Sequence, residues 1–243
     1  MMIDRSGDIR RARRLLRQNI WPIVAGIGLV AFTAILLNLF STQIAELDNA
    51  AYWLFVLKLR ADWLTPIMQG LSTLASPVGL LAMLVMVGAF APGRRPGWAA
   101  ATNLVLVVIL NTLLKQIVQR PRPEGFRLIS EVGYSFPSGH SMVAMAFYGF
   151  LAWLIWKYMH EPHVRWFYTV VFGLMILAIG ASRIYLGVHY ASDVVAGFFV
   201  AFAWLVFFTR VIAPVFLPDV NDLSLDNPEE KPLLDAPIFD SDR

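Results

Sequence analysis

Six stretches of this chain are apolar for close to the length a helix needs to cross a bilayer, and nothing else in the sequence limits its fold as strongly. A span takes about 20 predominantly apolar residues, and Ile20–Phe40, Ile67–Ala91, Trp98–Leu114, Ser141–Trp156, Trp166–Ala181 and Tyr190–Phe208 reach or approach that length. The fourth and fifth are short, and each can extend by a turn into its flanking loop. A soluble domain of 243 residues has too little interior to hide a composition that is 58% hydrophobic and 15% charged, against about 45–50% and 25% in ordinary domains. The expected fold is therefore all-α, a polytopic membrane protein of six transmembrane helices. With 0 Cys, a disulfide framework, a thiolate nucleophile and a cysteine metal site are all excluded.

Basic residues at the span ends predict the orientation. Arg5, Arg10, Arg11, Arg13, Arg14 and Arg17 precede the first span and place the N-terminus in the cytoplasm. Alternation then puts Arg94, Arg95, Lys157, Arg165 and Arg210 inside, and Lys58, Arg60, Lys115, Arg120, Arg122, Arg127 and Arg183 outside, with both termini cytoplasmic. The first apolar run is too long for a signal peptide and lacks a clean cleavage pattern, so it reads as a retained helix. Gln43–Trp63 mixes Glu46, Asp48, Lys58 and Arg60 with Tyr52–Leu57, a pattern for a helix lying at the outer interface. Three regions follow: a basic segment 1–19, a six-span body 20–213 and a tail 214–243. From Leu217 the tail sets eight acidic residues against Lys231 and Arg243, a composition typical of disorder. No nucleic-acid partner is expected; the bilayer and its lipids are.

Polar groups gather at one membrane level. Lys115 ends the third span, and Arg120-Pro121-Arg122-Pro123 follows; the prolines forbid a continuing helix. Phe136-Pro137-Ser138-Gly139-His140 leads into the fourth span, with Ser138 a plausible N-cap and the helix N-terminus a ready anion site. The fifth span ends in Ser182-Arg183, and the sixth opens with His189 and Asp193, spaced i,i+4 and so on one helical face. Spans three to six thus converge on three cations, a helix N-terminus and two histidines. That set fits phosphate, whose oxygens a guanidinium fork takes in pairs. Singly, each group has an ordinary reading: Lys115, Arg122 and Arg183 as snorkelling cations, Pro137-Ser138-Gly139 as a turn, His189 and Asp193 as a structural pair. Their coincidence on consecutive spans is what those readings explain poorly. His160 and His163 flank a helix-spoiling Pro162 without a further ligand, a poor metal site. Asn111 suits a hydrogen bond to a neighbouring helix.

Lys115-x6-Arg122-Pro123, Pro137-Ser138-Gly139-His140 and Ser182-Arg183-x5-His189-x3-Asp193 together resemble the three-part signature of the type-2 phosphatidic acid phosphatase superfamily, with every signature position filled. The resemblance covers about residues 45–210, and its local form is most similar to bacterial membrane members that dephosphorylate phosphatidylglycerophosphate or undecaprenyl pyrophosphate. It implies His189 as nucleophile forming a phosphohistidine, Asp193 as its orienting carboxylate, and His140 as general acid and then base. It further implies Lys115, Arg122, Ser138, Gly139 and Arg183 as the phosphate cradle, with no metal or other cofactor. A bell-shaped rate profile follows from two histidines in opposite protonation states.

The implied activity is hydrolysis of a lipid phosphomonoester or pyrophosphate at the outer leaflet of a bacterial plasma membrane. Undecaprenyl pyrophosphate, phosphatidylglycerophosphate and phosphatidic acid are the candidate substrates. Transfer to another alcohol, a vanadate-dependent haloperoxidase and a non-enzymatic headgroup binder or transporter remain as alternatives. The loop Glu124–Ser135 carries no motif that chooses among the lipids, and the oligomeric state is not encoded legibly.

Overall fold

The structure, a computed structural model, describes residues 5–90 and 94–217, with side chains described from Asn19 onward except at Phe90. The arginine cluster before the first span and the acidic tail therefore lie outside the described side chains. All regular structure among the described residues is helical: α1 (Arg5–Leu37), α2 (Thr42–Tyr52), α3 (Leu64–Thr73), α4 (Pro77–Phe90), α5 (Arg95–Val118), α6 (Gly139–Tyr158), α7 (Pro162–Tyr185), α8 (Ala191–Phe207) and a short α9 (Ala213–Phe216). A π-helical turn, Trp53–Lys58, prolongs α2, and a second, Phe208–Ile212, joins α8 to α9. Five helices are long and apolar enough to cross a membrane, and the bent pair α3–α4 would make a sixth. Their outer surfaces carry exposed Ile, Leu, Val, Phe and Trp, among them Trp21, Val30, Val85, Ile117 and Leu174. Lipid is the solvent that tolerates such a surface.

The second apolar stretch departs from the continuous span its hydropathy predicts. It breaks at Leu74–Ser76, and α3 and α4 meet at 59°. Pro77 supplies no N–H and disfavours a helical Ser76. The Ser76 hydroxyl then donates to the Thr73 carbonyl at 2.7 Å and accepts from Gly79 N–H at 3.3 Å, while Tyr148 Oη on α6 donates to the carbonyl of Leu74 at 3.1 Å. The groups freed by the break are thus answered locally, as an apolar solvent demands. The bend also requires Gly79, since a Cβ there would lie 2.1 Å from the Thr73 carbonyl oxygen. Gly79→Ala is expected to open the bend and to cost about 1–3 kcal/mol, read as a lowered unfolding midpoint in detergent.

Helix α6 is the hub, packed against α5, α7 and α8, with α1 lying along α8 and α3 against α7. Met142, Ala146, Phe147 and Phe150 on α6 are fully buried. Asn103 fastens three helices by donating to the Ala146 carbonyl and accepting from Trp204 Nε1, each at 2.8 Å. The two short spans lengthen as expected: α6 starts at Gly139 and α7 at Pro162. Pro162 opens α7 instead of spoiling a helix, because the first turn needs no N–H from it.

Candidate active site

Helix ends assemble the site. At the end of α5, Gln119 adopts a left-handed conformation (φ 53°) and donates its N–H to the Lys115 carbonyl, and the Pro121 that follows keeps the chain from resuming the helix. This aims Arg120 and Arg122 across the helix ends. Ser138 caps α6 as expected, its hydroxyl accepting from Ser141 N–H at 3.4 Å. The Ser138 N–H in turn donates to the Asp193 carbonyl at 3.0 Å, which holds the start of α6 against the start of α8. Asn111 bonds to the neighbouring helix as expected, its Nδ2 donating to Met142 Sδ on α6 at 3.1 Å, and it also fixes the capping turn by donating to the carbonyl of Pro137 at 3.0 Å.

His189 and Asp193 are brought together, though not as two residues of one helix. Asp193 Oδ2 accepts from the N–H of Tyr190 at 3.0 Å, so α8 begins at Ala191 and His189 lies just before it. The imidazole is buried, with Nδ1 a long 3.4 Å from Asp193 Oδ2 and Nε2 3.2 Å from Arg122 Nη1. A guanidinium only donates and a carboxylate only accepts, so the neutral ring carries its proton on Nδ1 and its lone pair on Nε2. Burial, with Arg183, Arg122 and Lys115 adding to it, holds the His189 pKa well below its ordinary value. The ring is therefore neutral near pH 7, as a nucleophile must be.

Arg122 and Arg183 frame that lone pair. Arg122 donates to the carbonyls of Gly133, Val188 and Val132 at 3.0–3.1 Å and so pins the α5–α6 loop to the turn before α8. Arg183, 1% exposed, donates to the Ser72 hydroxyl and to Glu131 Oε1 at 2.5 Å. Its Nε is the one buried side-chain nitrogen or oxygen among the described residues that lacks a hydrogen-bond partner. Lys115 and His140 lie within electrostatic reach of Arg183 and Glu131. The expected site residues Lys115, Arg122, Ser138, Gly139, His140, Arg183, His189 and Asp193 thus form one cluster at adjoining helix ends. Among the described residues, no group of His, Asp and Glu could hold a metal ion.

Three participants were given no role in the site by the sequence. Glu131, in the loop that carries no motif, bridges Arg183 at 2.5 Å and Arg122 at 3.7 Å. Burial works against its charge, but Arg183, His140 and Arg122 outweigh burial and hold its pKa below the usual carboxylate range. A carboxylate thus sits among the clustered cations, beside a cleft of about 420 Å³ lined by residues 127–131. Asp48 of α2 and Arg120 complete the buried network behind Asp193. The only available signal was a pair of charges, Asp48 and Arg120, placed where hydropathy gave them no reason to be.

Comparison with known proteins gives the family and the fold. Residues 96–216 match the model of the PAP2 superfamily. Phosphatidylglycerophosphatase B of Bacillus subtilis is 32% identical over 71% of this chain and 87% of its own length. Human dolichyldiphosphatase 1 is 32% identical over 44% of this chain and 50% of its own length, and the lipid A 1-phosphatase of Rhizobium etli is 31% identical over 46% and 47%. The fold is similar to the crystal structure of a transmembrane PAP2-type phosphatidylglycerolphosphate phosphatase from Bacillus subtilis, with TM-score 0.70 and 27% identity, covering 76% of this chain and 94% of that one. It also resembles Aquifex aeolicus LpxE, with TM-score 0.54 and 22% identity over 65% of this chain and 92% of that one. Motifs, helix-end cluster and relatives agree, and the chain is a multi-pass membrane member of the PAP2 superfamily.

Proposed function

We propose that the protein is an integral membrane lipid phosphatase that hydrolyses a phosphomonoester or pyrophosphate headgroup through a phosphohistidine. The observation that carries this reading is the unpartnered, buried Nε of Arg183, whose guanidinium is otherwise held by Glu131 and Ser72. A bound phosphoryl group supplies the missing acceptor. His189 Nε2 attacks phosphorus, the bond to the leaving oxygen breaks, and His140 protonates that oxygen. His140 then takes a proton from water, whose oxygen displaces the phosphoryl group from Nε2 and frees inorganic phosphate. Asp193 holds the Nδ1 proton and stabilises the cationic ring. Lys115, Arg122, Arg183, Ser138 and the Gly139 N–H bind the equatorial oxygens and neutralise their charge. Metal takes no part in this scheme.

The bent pair α3–α4 completes a six-span body over residues 20–213, with α2 at the interface, both termini in the cytoplasm and the site on the extracytoplasmic side of a plasma membrane. Undecaprenyl pyrophosphate, phosphatidylglycerophosphate and phosphatidic acid are the substrates we favour, since a cradle built for phosphoryl oxygens discriminates little among headgroups. The names of the relatives, which range from a phosphatidylglycerophosphatase to a dolichyldiphosphatase, support that breadth. The test is phosphate release from these three lipids by purified protein in detergent with EDTA. Release from at least one supports the reading; loss of the lipid's phosphoryl group only with an added acceptor alcohol, and its recovery on that alcohol instead of as inorganic phosphate, points to a phosphotransferase, and neither from folded protein points to a binder.

Glu131 gives this reading a second, quantitative check. Substrate oxygens must take Arg183 and Arg122 from its carboxylate, and its side chain is 28% exposed. Glu131→Gln is expected to lower KM by about two- to fivefold, the scale of a partly exposed ion pair. An unchanged or raised KM would show that Glu131 does not compete with substrate.

A further inference from the structure

Behind the proposed nucleophile lies a second layer of buried charge. Asp48, 3% exposed on α2, accepts from Arg120 Nη2 at 2.8 Å, from the Ser192 N–H at 2.8 Å and from the Ser192 hydroxyl at 2.7 Å. The other arm of the same guanidinium, Nη1, donates to Asp193 Oδ1 at 2.6 Å and to Ser192 Oγ at 2.8 Å. The Tyr190 ring covers the guanidinium, 4.0 Å from its centre. Three ionised groups removed from water are costly to hold together, and core packing alone gives no reason for the second carboxylate.

The geometry supplies one. An unopposed guanidinium would take both oxygens of Asp193 as a bidentate pair and withdraw the carboxylate from His189. Asp48 occupies one arm of the fork, so Arg120 reaches only Oδ1 of Asp193. Oδ2 stays turned toward His189 Nδ1 and the Tyr190 N–H. The layer Asp48, Arg120 and Asp193 also carries one net negative charge, which the ring balances once its Nε2 bonds to phosphorus. We propose that Asp48 and Arg120 are positioning residues for phosphoryl transfer, sharing one guanidinium so that Asp193 keeps an oxygen for His189. This rests on the phosphatase reading above.

The test compares wild type, Asp48→Asn and Arg120→Lys in detergent with a lipid phosphate that the wild type hydrolyses. Lysine keeps the charge, but its single ammonium cannot hold both carboxylates in the same geometry. Both variants are expected to lose about 10- to 100-fold in kcat, the scale of one charged hydrogen bond made in the transition state, with KM within about twofold. Inhibition by vanadate, whose trigonal-bipyramidal adduct resembles the transition state, is expected to weaken by a similar factor, and inhibition by inorganic phosphate to stay unchanged. A merely structural role would alter both inhibitors alike or lower only the fraction of active protein. Wild-type kcat in Asp48→Asn, or equal weakening of vanadate and phosphate, overturns the proposal; if Asp48→Asn does not fold, Arg120→Lys decides by the same criteria. Failure of the phosphatase reading is separately visible, as absence of phosphate release from the wild type.

Discussion

His189→Ala is expected to abolish phosphate release, by about 10⁴-fold or more, while leaving lipid binding nearly intact. The imidazole turns a nitrogen lone pair to the cations: Nδ1 faces Asp193, and Nε2 lies 3.2 Å from Arg122 Nη1. Its burial beside three cations keeps it unprotonated. Alanine removes the proposed attacking atom and leaves Arg183 and Arg122 held by Glu131, Ser72 and the loop carbonyls. Direct binding of lipid phosphate or inorganic phosphate to the variant therefore measures a cradle that remains assembled. A variant that still turned over at a tenth of the wild-type rate would remove His189 from the chemistry.

Gly187→Ala is expected to cost about 10²-fold in activity without touching a single reacting group. Gly187 has φ 74°, and a Cβ there would lie 2.3 Å from the Phe126 carbonyl oxygen and 3.2 Å from Arg127 Cα. A left-handed conformation costs an ordinary residue about 1–2 kcal/mol, and the backbone contact cannot be relieved by rotating a side chain. The chain must shift, and what shifts is the turn that carries Val188, whose carbonyl accepts from Arg122 at 3.0 Å, and His189 itself. A misplacement of about 1 Å costs on the order of 10²-fold in rate. Activity is expected to fall by about that factor, with a lowered unfolding midpoint. Unaltered kinetics would mean that this turn does not set the position of the imidazole.

What the sequence made legible follows from the solvent. A bilayer admits little but helices, so long apolar runs located α1 and α5–α8, and polar residues stranded at their ends located the cluster. Hydropathy was blind to the break at Leu74–Ser76 because the residues around it stay apolar; Ser76-Pro77 was the available signal. The i,i+4 spacing of His189 and Asp193 found the pair but not its geometry, since Asp193 caps α8 and leaves His189 outside the helix. Glu131 and Asp48 were illegible for another reason. Their partners lie 52 residues away at Arg183 and 72 away at Arg120, and no local pattern marks which distant cation a carboxylate will meet.

The central claim is that a covalent bond forms at His189. Its most direct test is rapid quenching of wild-type protein turning over a lipid labelled in its terminal phosphoryl group, followed by peptide mapping under alkaline conditions that preserve phosphohistidine. Acid-labile label is expected on the peptide containing His189, formed and discharged at rates compatible with turnover, present with EDTA and missing from His189→Ala. Turnover with no protein-bound label at any quench time, or label on another residue, would contradict it.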